Sequence, residues 1–434
     1  MIEYSNDEQT VENQSTPRSL FWLFLRLGAT AFGGPLAHIA LMQREFVEKR
    51  RWFSQAEFID MIGATNLVPG PNSTEMAMHI GHRRGGWKGL IASGVAFILP
   101  AAILMTLLAA LYVRIGNQPQ LQSPLRGLSA VVTAIIAHAL WKFGRTALKN
   151  PFTVVAAILA TFAVARGMDE LSVLLVAAIA GLLFGAWETR NDKVEIAQAT
   201  NENSVTASSS TEESSTRTKD ETPAKSRLPM LFSVGGASGI FAIGAAPTLA
   251  NLFLIFLKIG AVLYGSGYVL IAFLRQDFVL RSHWISNRQL LDAVAFGQFT
   301  PGPLFTTATF IGYLLGDKYE LSSHGWGGIM GAIAATIGIF LPSFGFVGLL
   351  SLLLKRWKNA PVLRTFLDVV NAVSLALMAV VTWQLASAQL GRGAAHDMTI
   401  AALFFISLSL LFATKINSVW LLVGGAILGF VLRL

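Results

Sequence analysis

The stretch Asn66-Leu67-Val68-Pro69-Gly70-Pro71-Asn72-Ser73-Thr74-Glu75 returns far downstream as Gln298-Phe299-Thr300-Pro301-Gly302-Pro303-Leu304-Phe305-Thr306-Thr307. Both copies lie inside long apolar segments, where Pro-Gly-Pro breaks a helix. The first proline has no N–H to give the ladder, the glycine permits unusual backbone angles, and the second proline suits the first position of a new helix. Each copy therefore predicts an interrupted helix whose second half starts at membrane depth. Non-helical backbone is tolerated there only where it packs in protein or lines a wet cavity. The N–H groups and dipole of such a half-helix attract anions, and paired breaks in matching halves point to a transporter's binding site. On this reading the chain is an anion transporter.

Composition supports a membrane protein. Of 434 residues, 53% are hydrophobic and only 13% charged, which describes a polytopic membrane protein rather than a large soluble enzyme. The net charge of +8 fits basic loops beside anionic lipid better than nucleic-acid binding. With no cysteine, thiol catalysis, disulfides and cysteine-held metals are excluded. The start is polar and acidic, so no cleavable signal peptide is expected.

Working outward, residues 1–18 read as a polar N-terminal tail and 19–187 as a first transmembrane repeat. Residues 188–229 read as a disordered polar linker, because its Ser, Thr, Glu and Lys have almost nothing to bury. Residues 230–434 read as a second repeat, including a span near 231–249. His82, Arg83, Arg84 and Lys88 mark a short loop, and ten to thirteen membrane segments are expected. The fold class is an all-α polytopic membrane protein with two homologous repeats and Pro-Gly-Pro-broken helices. Sliding residues 24–78 onto 256–310 without a gap gives about 16 identities in roughly 55 positions, Trp52/Trp284, Ser54/Ser286 and Asp60/Asp292 among them. In a shifted register Pro100 falls on Pro342. The equivalent loops 43–57 and 275–289 are both basic, so the positive-inside rule favours parallel repeats; an odd number of intervening spans would invert them.

Several side chains are candidates. An anion site needs several N–H or O–H donors around one or two fixed positive charges. Arg26 and Lys258 align in the repeat and sit in apolar runs, where a cation is costly and usually functional, although each could instead snorkel to the headgroups. At the breaks, Asn66, Pro69, Gly70, Pro71, Asn72, Ser73 and Thr74, with Gln298, Thr300, Pro301, Gly302, Pro303, Thr306 and Thr307, offer backbone, hydroxyl and amide groups. Capping the half-helices is the alternative role for the hydroxyls. Glu75 and Asp368 are candidate proton carriers, since an apolar cavity favours a neutral carboxyl; a first-turn glutamate also complements the helix dipole. Asp60 and Asp292 sit near the loops, where capping or pairing with loop arginines suits them better. His38 and His79 have no second ligand at metal spacing, so no metal site is expected, and no cofactor.

The runs Phe24-Leu25-Arg26-Leu27-Gly28, Phe32-Gly33-Gly34-Pro35 and Gly63-Ala64-Thr65-Asn66 through Glu75 together resemble the signature of the chromate ion transporter family. Phe256-Leu257-Lys258-Ile259-Gly260, Tyr264-Gly265-Ser266-Gly267-Tyr268 and Gln298 through Thr309 are similar to that family's C-terminal half. The resemblance covers nearly everything except the tail and linker. It implies an inner-membrane protein of bacteria or archaea that exports chromate, driven by the proton motive force, and gives chromate resistance. It also implies antiparallel halves, against the charge count. Chromate and sulfate share shape and charge, so sulfate is a second cargo to weigh, and an uncoupled anion channel is the other reading. The partners expected are chromate, protons and the bilayer; a homodimer is left open and nucleic acid is not expected. A membrane enzyme lacks its motifs here: no Gly-x-Ser-x-Gly elbow, no Walker A loop and no metal-spaced His/Glu pair.

Overall fold

The computed structural model describes residues 15–116, 118–206, 247–357, 361–390, 393–414 and 416–433. The tail up to residue 14, the linker from 207 and most of the expected span near 231–249 lie outside them. All regular elements among the described residues are helical.

The first half contains α1 (Pro17–Thr30), α2 (Gly34–Gln43) running into a π-helical turn (Arg44–Lys49), α3 (Gln55–Thr65) and α4 (Ser73–Ile115). These are followed by α5 (Pro119–Ala147), α6 (Pro151–Ala165) and α7 (Glu170–Thr206). The second half repeats the plan with α8 (Leu249–Val262), α9 (Leu270–Leu274) running into a π-helical turn (Arg275–Arg281), α10 (Asn287–Phe299) and α11 (Thr307–Lys318). It ends with α12 (Gly327–Trp357), α13 (Pro361–Ser387), α14 (Ala394–Ala413) and α15 (Ser418–Val431). Six described helices are long and apolar enough to cross a membrane.

The 43 residues of α4 form two helices, not one. Gly85 and Gly86 leave helical angles (φ −147° and +57°), and the chain doubles back. A methyl group on Gly81 would lie 2.5 Å from the Gly89 carbonyl oxygen, so the arms 73–84 (α4a) and 87–115 (α4b) pack backbone to backbone. The loop expected around His82–Lys88 is thus a two-glycine turn. At about 1.5 Å per residue α4a spans about 18 Å, roughly half the hydrocarbon core, as a broken helix should. In the second half the same hairpin is α11 and α12, joined by a longer turn.

The short elements ahead of each break start alike. Ser54 and Glu57 form a capping box on α3, and Ser286 and Gln289 form its counterpart on α10. The Glu57 carboxyl accepts from the Ser54 backbone N–H and hydroxyl, which hold it below the usual carboxylate range. Replacing either serine by alanine should lower stability by about 1 kcal/mol, measured by thermal unfolding in detergent.

Equivalent helices run antiparallel. Along α4b and α12, Gly94 packs on the Phe344 ring and Gly348 on the Trp87 ring. Along α5 and α13, Lys149 meets Asp368 at 2.7 Å and Thr133 accepts from Gln389 at 2.6 Å. The repeats are therefore inverted, about a pseudo-twofold axis in the membrane plane, which decides between the parallel and inverted arrangements that loop charge left open. α7 continues past residue 187 to Thr206, through residues read as linker. Its Glu188, Arg190, Lys193 and Glu195 are sound helix formers, and a helix need not stop at the membrane surface.

Candidate functional site

Flanked by two prolines, the glycine carries the only N–H of each break. Both glycines sit at positive φ, Gly70 at 137° and Gly302 at 104°. Each N–H is given to the opposite half. Gly70 donates to the Leu263 carbonyl at 2.9 Å, and Gly302 donates to the Ala31 carbonyl at 2.8 Å. Ala31 and Leu263 are equivalent residues at the ends of α1 and α8. One bond is the image of the other, so each break is held by the end of the other half's first helix.

The hydroxyls near the breaks turn backwards. Ser73 Oγ donates to the Pro71 carbonyl, Thr306 Oγ1 to Pro303 and Thr307 Oγ1 to Leu304, at 3.1, 2.9 and 2.8 Å. Thr300 Oγ1 donates to Phe296 O at 2.8 Å, and Asn72 Nδ2 donates to Asn66 Oδ1. No side chain caps α4a or α11, so the capping role considered for Thr74 and Thr306 is not taken up. The tight turns after the prolines bring carbonyls within reach of the hydroxyls and offer them a local partner instead. Thr74 Oγ1 is buried with no hydrogen-bond partner.

A cleft at the second break draws on both halves. Gly33, Gly34 and Pro35 line it from the first half, and Gly267, Tyr268, Gly297, Gln298, Thr300, Gly302, Leu304 and Ser418 from the second. Its volume of about 20 Å³ holds a water molecule, not a five-atom oxyanion, so this conformation is closed. No acid lines it. Beside it on α10, buried Asp292 accepts from Tyr112 of α4b at 2.8 Å and lies 3.9 Å from Arg288, which makes it a tie between the halves.

The first break is different because Glu75 fills it. A methyl group on Gly70 would lie 2.0 Å from Glu75 Oε1 and 2.6 Å from Ser343 Oγ of α12. The carboxyl thus lies against the turn, fully buried, and neither oxygen has a hydrogen-bond partner of good geometry. Three residues stand around it: Ser343, which sequence reasoning missed, and His38 and His79, which it considered only as metal ligands. Ser343 is its polar neighbour, His38 Nδ1 meets Ser73 Oγ at 3.1 Å, and His79 lies one helical turn beyond Glu75 with both ring nitrogens unpartnered.

Arg26 and Lys258 line no part of the cleft. Arg26 is paired with Glu45 at 2.9 Å, and that carboxylate also holds Arg50 at 2.9 Å and Lys49 at 3.6 Å. Burial raises the Glu45 carboxyl, but the Arg50 hydrogen bond and the charges of Arg26, Arg50 and Lys49 outweigh it and hold the group below the usual carboxylate range. Lys258 is paired with Asp277 at 2.6 Å, and Arg281 joins Asp277 at 3.2 Å and also reaches Asp169. These cations fasten the first helix of each half to the π-helical turn. Asp368, expected to be proton-exchanging, is likewise taken up by Lys149.

Inverted helical repeats, each with a half-helix broken by Pro-Gly-Pro and the breaks tied across the pseudo-twofold, define a membrane transporter of the broken-helix class. The family model described as Chromate transporter matches twice, over residues 18–184 and 250–430, and the chain belongs to that family. It is a multi-pass membrane protein. It is 30% identical to a chromate transport protein of Pseudomonas aeruginosa, over 98% of this chain and 95% of that one. It is 29% identical to the chromate transport protein of Cupriavidus metallidurans, over 96% and 93% of the two chains. A probable chromate transport protein of Synechococcus elongatus is 27% identical over 90% and 88%. No solved structure matches.

Proposed function

We propose that the protein carries chromate outward across the membrane, driven by the proton motive force, and so confers chromate resistance. The cross-repeat pair Gly70–Leu263 and Gly302–Ala31 carries this reading. Movement of one inverted repeat against the other must rearrange both bonds at once, which is what alternating access around a central site requires. The names of the full-length relatives supply the substrate. Gln298, Thr300, Tyr268 and Ser418 at the cleft are the donors for a tetrahedral dianion once the site opens. Glu75 is the proton carrier, and Asp368, Arg26 and Lys258 serve as structural ion pairs.

Labelled chromate movement into inverted membrane vesicles tests the proposal. Accumulation that an uncoupler abolishes is the expected result. Uptake that follows the chromate gradient and ignores the uncoupler would instead establish an uncoupled anion channel. Excess sulfate in a parallel sample reports selectivity: full competition means that the site reads any tetrahedral dianion.

A further inference from the structure

The duplication provides an internal control for every residue at the breaks. Gly70 falls on Gly302, Asp60 on Asp292 and Thr74 on Thr306, while Pro100 of α4b falls on Pro342 of α12. The same contacts recur in this register: Gly28 packs on the Phe97 carbonyl, and Gly260 packs on that of Ile339. Yet the polar set around the first break is one-sided. His38, Ser73, Glu75, His79 and, from α12, Ser343 occupy positions that the second break's surroundings fill with Leu270, Phe305, Thr307, Ile311 and, from α4b, Ala101. The scaffold is therefore satisfied by mostly apolar residues at these places. All five polar groups are buried, and both Glu75 oxygens, both His79 nitrogens, His38 Nε2 and Ser343 Oγ lack partners. Unpaired buried polar groups are costly, and the first break is surrounded by six such atoms at positions where its twin shows that the fold needs none of them.

Glu75 and His79 are four residues apart, on one face of α4a. Continuing along that face leads to Arg83, whose guanidinium lies 3.7 Å from Glu57 of α3 at the exposed end of the helix. His82 stands beside it, His38 of α2 lies at the level of Ser73, and Ser343 of α12 and Ser93 of α4b complete the polar surroundings. The pair thus connects the centre of the molecule with one surface.

We propose that the two breaks have divided the work: the first is a proton site carried by Glu75 and His79, and the second alone receives the oxyanion. The carboxyl of Glu75 occupies the place over Gly70 that an anion would take, and its charge would repel a dianion there. In the transfer step the Glu75 acid gives its proton to one imidazole nitrogen of His79. The other nitrogen releases one toward the His82–Arg83 end, so a single proton crosses and no other bond changes. This rests on the proton coupling proposed above.

The test uses the full chain in liposomes holding a pH-sensitive dye. Proton movement driven by a chromate gradient is compared with labelled chromate exchange at equal concentrations on both sides. His79→Ile, the residue the repeat places at 311, and His79→Gln should each slow proton movement by about tenfold or more. Exchange should stay within about twofold. Two variants are used so that a folding defect in one, seen by size-exclusion chromatography, does not decide the matter. Wild-type proton movement in a folded variant overturns the proposal; so does loss of exchange, which would put His79 on the oxyanion path. A wild-type protein that moves no protons with chromate refutes the coupling itself, and this proposal with it.

Discussion

Glu75→Gln is expected to abolish proton-driven chromate accumulation, by on the order of a hundredfold, and to leave chromate exchange close to wild type. Glutamine keeps the shape that lies against Gly70 and Ser343 and removes only the exchangeable proton. The same variant should be as stable as the wild type or more so, because a buried carboxyl with neither oxygen partnered is a liability to the folded state. Vesicle uptake with and without an uncoupler, alongside thermal unfolding, checks both halves of the expectation. Unchanged driven uptake would remove Glu75 from the coupling path. A large fall in stability would make it a packing residue whose loss of activity is indirect. Glu75→Asp draws the carboxyl back by one methylene and separates the need for a proton from the need for contact with the turn.

Much of this site was legible before any coordinates. Pro-Gly-Pro in an apolar run forces a break wherever it sits, and the ungapped match carrying Trp52, Ser54 and Asp60 onto Trp284, Ser286 and Asp292 fixed the repeat. Orientation was not legible. Loop charge favoured parallel repeats because it weighs cations without their partners, and Arg281 is tied to Asp277 and Asp169. The same blindness promoted Arg26 and Lys258. Their partners were visible in principle, since Glu45 and Asp277 follow them at the same spacing of 19 residues. His38 and His79 were weighed only as metal ligands and set aside. Leu270 and Ile311 at the matching positions were the signal, because a repeat that keeps its backbone and drops its polar groups marks where chemistry, not folding, chose the residue.

If the breaks have divided the work, their glycines should fail in different ways when replaced by alanine. Both hold positive φ, so each substitution carries backbone strain of about 1–3 kcal/mol. The neighbours differ. At Gly302 the new methyl would lie 2.9 Å from the Ala101 Cβ, on the wall of the glycine-lined cleft. Gly302→Ala should therefore weaken chromate binding, by about tenfold for a shift near 1.4 kcal/mol, while the protons moved per chromate stay as in wild type. At Gly70 the methyl would lie 2.0 Å from Glu75 Oε1 and must push the carboxyl off the turn. Gly70→Ala should uncouple, with chromate exchanging but no longer accumulating. Ala101→Gly should recover part of the affinity lost in Gly302→Ala, since it removes the contact and leaves the φ strain. Half-saturation for chromate and the proton-to-chromate ratio, measured in the same liposomes, separate the two. Equal loss of both quantities in both variants would mean that the breaks act as one undivided site and that the asymmetry of Glu75 and Thr307 has no functional consequence.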